Sequence, residues 1–429
     1  MAKFVVAGLQ NGSEVKLIYD TKTNVICNLQ GQDLLKDYKV KKEYPPTQNF
    51  TRTYNPYRKQ KENSLLEISL GSNCNFKCKY CSQNLLKNKA YSGTPVDAYL
   101  LIDKLKKSKL QPTQIQLWGG EPLVYWKTIL VLLPRLRAMY ENAHISIITN
   151  GSLLDREKVD FLVKYRCDLS LSHDGPGNQF RYKDVLKSEK VVDALQYAIK
   201  QLGKHFSINV TPGQGNTDVL KIAEFFNTFF DIKDNSLILG VHNIVRCHDS
   251  RDPDQVDACT ISDEDLKTYS DTIFEALNTP DKNSYGFNSL EYKVRCAIEG
   301  ILFEEPIDSV LAECDLPFSN GLLIDMRGNV LTCHNHAMQS YTCGNLENLN
   351  EVNAIGYNCW KNKERCRNCP FIHWCKGGCP SADDKANELA CRNLYALYYA
   401  ILRVVVARLL GVYVLSIEEM QDEVHNECR

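Results

Sequence analysis

At 429 residues the chain is too long for one ordinary hydrophobic core and divides into two or three domains. Its 51 Lys and Arg against 52 Asp and Glu leave a formal charge of −1, which excludes a broadly basic nucleic-acid binder and electrostatic docking on an anionic membrane. It holds 18 cysteines, and its start, MAKFVVAGLQNGSEVK, carries no apolar signal-peptide stretch; together these point to a reducing cytoplasm and to metal ligation rather than disulfides.

Residues 3–30 read as three short strands, KFVVAGL, EVKLIYD and NVICNL, the first two joined by a hairpin turn at Asn11-Gly12. Residues 31–62 are polar and extended, with Pro45, Pro46 and Pro56 opposing any helix. Between Lys36 and Lys61 eight Lys or Arg stand against two Asp or Glu, which makes this either a solvated linker or a basic strip that recruits an acidic peptide. From residue 65 strands and helices alternate. The strands are LLEISLG (65–71), IQLWGG (115–120), HISIITNG (144–151), DLSLSHDG (168–175), FSINVTP (206–212) and SLILGVHNI (236–244). Helical patterns lie near 95–109, 127–142, 155–165, 186–203 and 217–230, with another at 262–278. Such alternation builds βαβ units with right-handed crossovers, a parallel sheet with helices outside and chemistry at the carboxyl ends of its strands. Polar residues and glycines gather at those ends, at 119–122, 149–151, 172–175 and 211–213. From about residue 290 the alternation stops and cysteine becomes dense. The one long apolar stretch, Leu394 to Leu415, contains Arg403 and Arg408 and reads as a buried or amphipathic helix, not a membrane span. Gly411 weakens its last turn, and SIEE at 416–419 resembles a fresh capping box.

Directly after the first strand of the alternating array comes Cys74-Asn-Phe-Lys-Cys78-Lys-Tyr-Cys81. Three thiolates on a [4Fe–4S] cube leave one iron without a protein ligand, an open position at which a small molecule can chelate. Structural zinc, the alternative, wants four protein ligands, and no fourth Cys or His lies nearby in sequence.

This segment resembles the CxxxCxxC signature of the radical S-adenosylmethionine (SAM) superfamily, with Tyr80 as the aromatic residue before the last cysteine. Three further segments are similar to the family's pattern, each at the expected strand end. Gly119-Gly120-Glu121-Pro122 matches the motif whose backbone and carboxylate hold the SAM ammonium, and Thr149-Asn150-Gly151 matches the end of the third strand. Ser172-His173-Asp174-Gly175-Pro176 resembles the end of the fourth, where the serine faces SAM. Arg181 stands at a spacing that resembles the family's substrate- or SAM-facing arginine, with a surface arginine as the competing reading. The resemblance implies a partial (β/α)6 TIM barrel as radical SAM core. It further implies that the open iron binds the amine and carboxylate of SAM, and that reductive cleavage gives a 5′-deoxyadenosyl radical. That radical then takes hydrogen from an unactivated substrate carbon. A flavodoxin- or ferredoxin-type electron donor is implied with it.

A second constellation follows. Cys314, thirteen residues, Gly328, four residues and Cys333 precede Cys366-x2-Cys369-x5-Cys375-x3-Cys379 and then Cys391. This resembles the seven-cysteine pattern of the SPASM domain, with a zinc knuckle as the competing reading of the central four. The resemblance implies two auxiliary [4Fe–4S] clusters, the nearer held by Cys314, Cys333 and Cys379 and the outer by Cys366, Cys369, Cys375 and Cys391. Seven cysteines do not fill eight positions. Cys296, eighteen residues upstream of Cys314, is the favoured eighth ligand, Cys343 is a second candidate, and an open iron able to bind a substrate thiolate is the third reading. Cys27 and Cys167 read as core residues, whereas Cys247, Cys259, Cys359 and Cys428 carry no assigned role. His334 and His336 follow Cys333, at a position where sulfatase-maturing relatives carry an aspartate base. His334 is therefore the candidate base, or else a hydrogen-bonding neighbour of the cluster. His173 and His242 lie at or near strand ends.

The chain thus divides into a small β-rich segment and basic linker (1–62), the radical SAM core (63–245), a bridging region (246–305) and a SPASM auxiliary-cluster domain with a C-terminal helix (306–429). Its N-terminal part reads as strands, without the winged helix that many peptide maturases use. The expected activity is cytoplasmic maturation of a ribosomally made precursor peptide, by hydrogen abstraction from a side-chain carbon and closure of a cross-link. Cyclophane-type carbon–carbon closure onto an aromatic ring ranks first and a thioether second. Dehydrogenation of a small alcohol or sugar is the alternative, a sulfatase-type maturase is disfavoured by His334, and a non-catalytic cluster carrier is disfavoured by the intact SAM-site motifs. Three cubes require about twelve irons per chain after anaerobic reconstitution, and iron analysis returning about four would refute the auxiliary clusters.

Overall fold

The computed structural model describes residues 2–42, 65–83, 92–233, 237–241, 243–278, 286–310, 321–331, 333–334, 342–352, 360–379 and 382–420. Most of the basic strip, together with Cys314, Cys359, Cys428, His242 and His336, lies outside the described residues. The N-terminal residues form β1 (Lys3–Gln10), β2 (Ser13–Asp20) and β3 (Val25–Cys27), an antiparallel meander. Its first turn places Asn11 and Gly12 at φ of 50° and 82°, the left-handed backbone that an Asn-Gly hairpin supplies.

Then come β4 (Leu65–Ser69), α1 (Pro95–Ser108), β5 (Gln114–Trp118), α2 (Trp126–Met139), β6 (His144–Thr149) and α3 (Arg156–Lys164). The array continues with β7 (Cys167–Ser172), α4 (Glu189–Leu202), β8 (Phe206–Val210), α5 (Val219–Phe229) and β9 (Ile238–Val241). Each of the six strands and the five helices between them falls within a few residues of its sequence pattern. The strands pair in parallel and in order. Their register joins Glu67 to Gln116, Gln116 to Ser146, Ser146 to Asp168, Ser170 to Ser207 and Asn209 to Gly240. Because side chains alternate faces, this row of polar residues shares one side of the sheet. The other side carries Leu66, Ile68, Ile115, Leu117, Ile145, Ile147, Leu169 and Leu171, all fully buried in the core that includes the helices. The sheet therefore has an apolar outer face under helices and a polar inner face.

The bridging region forms α6 (Pro253–Cys259), α7 (Asp263–Asn278) and α8 (Asn288–Leu302). Beyond it the strand–helix alternation stops but the sheet continues, with three strands that the sequence reading did not list. β10 (Gly321–Asp325) pairs in parallel with the free side of β4, and β11 (Asn329–Leu331) and β12 (Thr342–Asn345) add antiparallel strands. The result is a nine-stranded sheet in the order β12-β11-β10-β4-β5-β6-β7-β8-β9. β10 reads as apolar, GLLID, because both faces are covered: Leu322 and Ile324 join the main core, and Leu323 packs with Leu331.

Two single-turn helices, α9 (Glu364–Arg367) and α10 (Ile372–Cys375), carry the cysteine motif, and the 27-residue α11 (Asp384–Leu410) follows. Among the described residues α11 is the one helix long and apolar enough to cross a membrane. Here it packs against α7 and α8, with Arg403 paired to Asp271 at 2.6 Å and Arg408 to Glu291 at 2.8 Å. Gly411, at φ 67°, ends it in the left-handed conformation typical of a helix C-terminus. The expected capping box at 416–419 is instead part of β13 (Tyr413–Glu419), which pairs antiparallel with β1 from Leu9↔Tyr413 to Phe4↔Glu419. The open edge of β1 offered unpaired backbone, and the alternating run with Val414 buried and Leu415 exposed satisfied it better than a new helix. Gly8 permits the close approach, since a Cβ there would stand 2.5 Å from the Tyr413 carbonyl oxygen. A chain ended at Gly411 is expected to melt several degrees lower and to be cleaved by protease within residues 3–20; an unchanged melting curve and cleavage pattern would refute this role for β13.

Candidate active site

The loop after β4 runs across the carboxyl end of the sheet, held by the ends of β5 and β6. The Gly120 amide donates to the Gly71 carbonyl at 2.9 Å, the Glu121 amide to the Asn73 carbonyl at 2.9 Å, and the Asn73 amide to the Tyr125 hydroxyl at 2.6 Å. Only glycine fits at 120, where a Cβ would meet the Asn73 oxygen at 2.4 Å. Glu121 is 1% exposed. Its carboxylate accepts from Thr149 Oγ1 at 2.6 Å, the Asn150 amide at 2.7 Å and the Leu123 amide at 3.0 Å. Burial raises its pKa and these three bonds counter the rise. Glu121 thereby clamps β5 to β6 and starts the turn at the buried Pro122, beside the backbone of Gly119 and Gly120. Asn150 completes the clamp, its Nδ2 donating to Asn75 Oδ1 at 2.9 Å beside Cys74.

A second brace closes the loop from the β7 side. The Tyr80 hydroxyl donates to Asp174 Oδ2 at 2.7 Å and accepts from Arg181 Nη1 at 2.7 Å. Asp174 Oδ1 takes the Thr211 amide at 3.1 Å and lies 3.5 Å from Arg181. Burial opposes the Arg181 charge, but the Tyr80 and Asp174 oxygens more than offset it and the guanidinium stays ionised. Burial also raises the Tyr80 pKa well above its ordinary value, so the phenol is neutral. Tyr80 and Arg181 thus hold the cysteine loop down rather than reaching into open space. Asp174, named from sequence only as part of the motif at 172–176, is the centre of this brace. His173 is buried, with Nδ1 accepting from the Gly175 amide at 3.0 Å and Nε2 3.0 Å from Asp184. Ser172 stands half-buried on the inner face.

Between the two braces sit Cys74, Cys78 and Cys81. The Cys74 thiol is pushed up to about 11, by burial first and then by Glu121, Cys81 and Cys78 despite a bond from the Phe76 amide. The three sulfurs therefore lie in one field. No three His, Cys, Asp or Glu side chains among the described residues close round a single ion; a cube is broader than an ion and spaces its thiolates more widely. Three soft donors on a loop beside a backbone-lined corner fit a [4Fe–4S] cluster with one open iron.

On the inner face, His334 Nε2 lies 2.7 Å from Glu67 Oε2, and its ring packs on Trp118 with centroids 4.4 Å apart. Gln83, two residues after Cys81, donates to the His334 carbonyl at 3.2 Å. Glu67 was missed from sequence. Its signal was an acid in the middle of the otherwise apolar LLEISLG.

The C-terminal cysteines gather further out. Burial and Cys391 raise the pKa of both Cys366 and Cys369, the latter to about 12, which places these three in one field. Cys375 and Cys379 are half-buried on the same motif, and Cys333 is half-buried beside His334. The N-terminal meander abuts this group: Tyr19 stacks on Trp374 at 6.2 Å, and His373 Nε2 lies 2.8 Å from the Thr21 carbonyl. Cys296 is exposed on α8, and Cys343 bonds the Val330 carbonyl at 3.6 Å. Cys167 is core and Cys247 and Cys259 are buried against each other, whereas Cys27 is buried and disulfide-bonded, which at that cysteine corrects the expectation that disulfides are absent.

With this geometry the comparisons agree. A sequence profile of the Radical SAM superfamily matches residues 68–226. Over 418 residues, 87% of this chain and 82% of the relative, the chain is 23% identical to the radical SAM cyclopropyl synthase TigE of Paramaledivibacter caminithermalis. The cysteine-type anaerobic sulfatase-maturating enzyme of Clostridium perfringens is 23% identical over 363 residues, 78% of this chain and 94% of that protein. In fold, the solved structure of native anSMEcpe with bound AdoMet is similar with a TM-score of 0.56 at 20% identity, over 81% of this chain and 100% of that one.

Glu121→Ala leaves three donors without their acceptor, at about 1–3 kcal/mol for each buried group unpaired. Chemical denaturation is expected to show a loss of several kcal/mol and calorimetry a weakened SAM affinity, with Glu121→Gln falling between; wild-type values for the alanine variant would refute the clamp.

Proposed function

The chain is a radical SAM enzyme, and from that premise we propose that it matures a ribosomally made precursor peptide by forming a carbon–carbon bond at a side-chain carbon. The observation that carries the site is the placement of Cys74, Cys78 and Cys81 beside the Gly119–Glu121 corner at the carboxyl rim of the sheet. A carbon–carbon product draws support from relatedness to TigE across most of both chains, TigE being by its name a cyclopropyl synthase; native anSMEcpe, similar in fold with a TM-score of 0.56, is solved with bound AdoMet and the Cp18Cys peptide, which supports a peptide substrate. Thioether closure is the second reading. An Asp-type base, as in sulfatase maturation, is disfavoured by histidine at 334.

On this reading Cys74, Cys78 and Cys81 hold the SAM-binding cube, while Cys314, Cys333, Cys366, Cys369, Cys375, Cys379 and Cys391 hold two auxiliary cubes, with a flavodoxin- or ferredoxin-type donor supplying the electron. When bound, cube and SAM supply a primary carbon radical that removes hydrogen from the substrate. The protein's part is positional. The Glu121 and Asp174 braces fix the loop, the polar inner face receives the substrate side chain and SAM, and the buried rim keeps water from both. His334, on that face, is the group placed to receive a proton that the substrate gives up.

Replacing Cys74, Cys78 and Cys81 together by alanine is expected to leave about eight irons bound and to abolish both SAM cleavage and the loss of two hydrogens from a precursor peptide. Deoxyadenosine formed by that variant, followed by chromatography, would overturn the assignment.

A further inference from the structure

We propose that Glu67 is a positioning residue of the active site, holding the His334 ring against Trp118 so that its Nδ1 edge turns to the substrate. The inference rests on the reading of His334 just given, and the observations lie on the inner face. Glu67 is the third residue of β4 and is 6% exposed. Its register neighbours are Gln116 on β5 and Leu323 on β10, neither of which offers a counter-charge. A carboxylate buried there carries a desolvation cost that a Gln or Leu would avoid, so its presence asks for a strong donor. The donor is His334 Nε2 at 2.7 Å, in the range of a short, strong hydrogen bond.

Three contacts hold this histidine. The carboxylate takes Nε2, the Trp118 ring covers one face at 4.4 Å and 42°, and Gln83 from the cysteine loop takes the carbonyl at 3.2 Å. With a carboxylate accepting at Nε2, the ring hydrogen resides there, and Nδ1 is the nitrogen left to accept. No described residue bonds Nδ1. The His334 side chain is 29% exposed against 8% for Glu67, so the open part of the pair is the imidazole. Glu67 thus sits behind the histidine and acts through it. The same bond ties the segment that carries Cys333 to the first strand of the barrel, setting the histidine's distance from the rim.

The test uses anaerobically reconstituted enzyme and the variants Glu67→Gln, His334→Gln and the double variant. A crystal structure of the E67Q holoenzyme, which needs no substrate, is expected to show the His334 ring turned away from Trp118. A ring left in place would overturn the proposal. In assays with the precursor peptide, E67Q is expected to keep its full iron content and SAM cleavage within about twofold, while modified peptide formed per deoxyadenosine falls tenfold or more through kcat rather than KM. H334Q should show the same defect and the double variant no more, because one residue works through the other. Additive defects, or iron lost from E67Q, would instead make Glu67 an independent or merely structural group. A wild-type enzyme that forms deoxyadenosine but leaves every peptide unmodified would sink the maturase reading alone, and the E67Q structure would still decide the role of Glu67.

Discussion

The in-register parallel pairing of β4 through β9, extended by β10, is the constraint on which the rest depends. With a side-chain period of two, one register alone puts Leu66, Ile115, Ile145 and Leu169 under the helices and Glu67, Gln116, Ser146 and Asp168 inside. A slip of one residue on any strand would bury its serines and acid against helices and turn its leucines inward. The same pairing brings every strand's carboxyl end to one rim, so residues 74–81, 119–122, 149–151 and 172–175 meet although the chain separates them by a hundred residues. Parallel pairing of β10 with β4 then places the segment before Cys333 at the edge of that rim.

A rim made of loops would be mobile without further support, and the support consists of buried polar groups. Glu121, Asp174 and Arg181 are each nearly inaccessible, and each is satisfied by partners from a different strand end. A buried charge is expensive alone and rigid when paired, because breaking any one bond strands the rest. The motif residues that look most like ligand contacts therefore divide into two kinds. Gly119 and Gly120 bring backbone close to the loop, whereas Glu121, Tyr80 and Arg181 fix where that backbone lies. A radical enzyme needs such stiffness, since a reactive carbon must meet one hydrogen and not its neighbours.

The two chain ends share one sheet, and that sheet touches the outer cysteines. β13 closes on β1, and Tyr19 and Thr21 of the same meander pack on Trp374 and His373, inside the C-x2-C-x5-C-x3-C motif. Burial holds the His373 pKa down at about 4, so this contact is between neutral groups. The N-terminal strands thus form part of the wall around the outer cysteine group instead of standing apart as a separate recognition module.

The sequence by itself determined the local and the periodic. Six strands, their helices, the Asn11-Gly12 hairpin and the spacing of Cys74, Cys78 and Cys81 are all written in short windows, because hydrophobic period, turn chemistry and metal-ligand spacing act over a few residues. The tertiary structure decided what depends on a partner far along the chain. Ser416–Glu419 reads as a helix start until the edge of β1 is there to pair with it, and Gly321–Asp325 has no reason to be a barrel strand until β4 shows a free side. Glu121 and Arg181 read from sequence as ligand contacts alone, and only the fold shows that they also bond Thr149, Asn150, Tyr80 and Asp174 across strand ends. Glu67 was one acid in an apolar run, and its meaning came from a histidine 267 residues away. A buried polar group must be satisfied by something, and only the folded chain says by what.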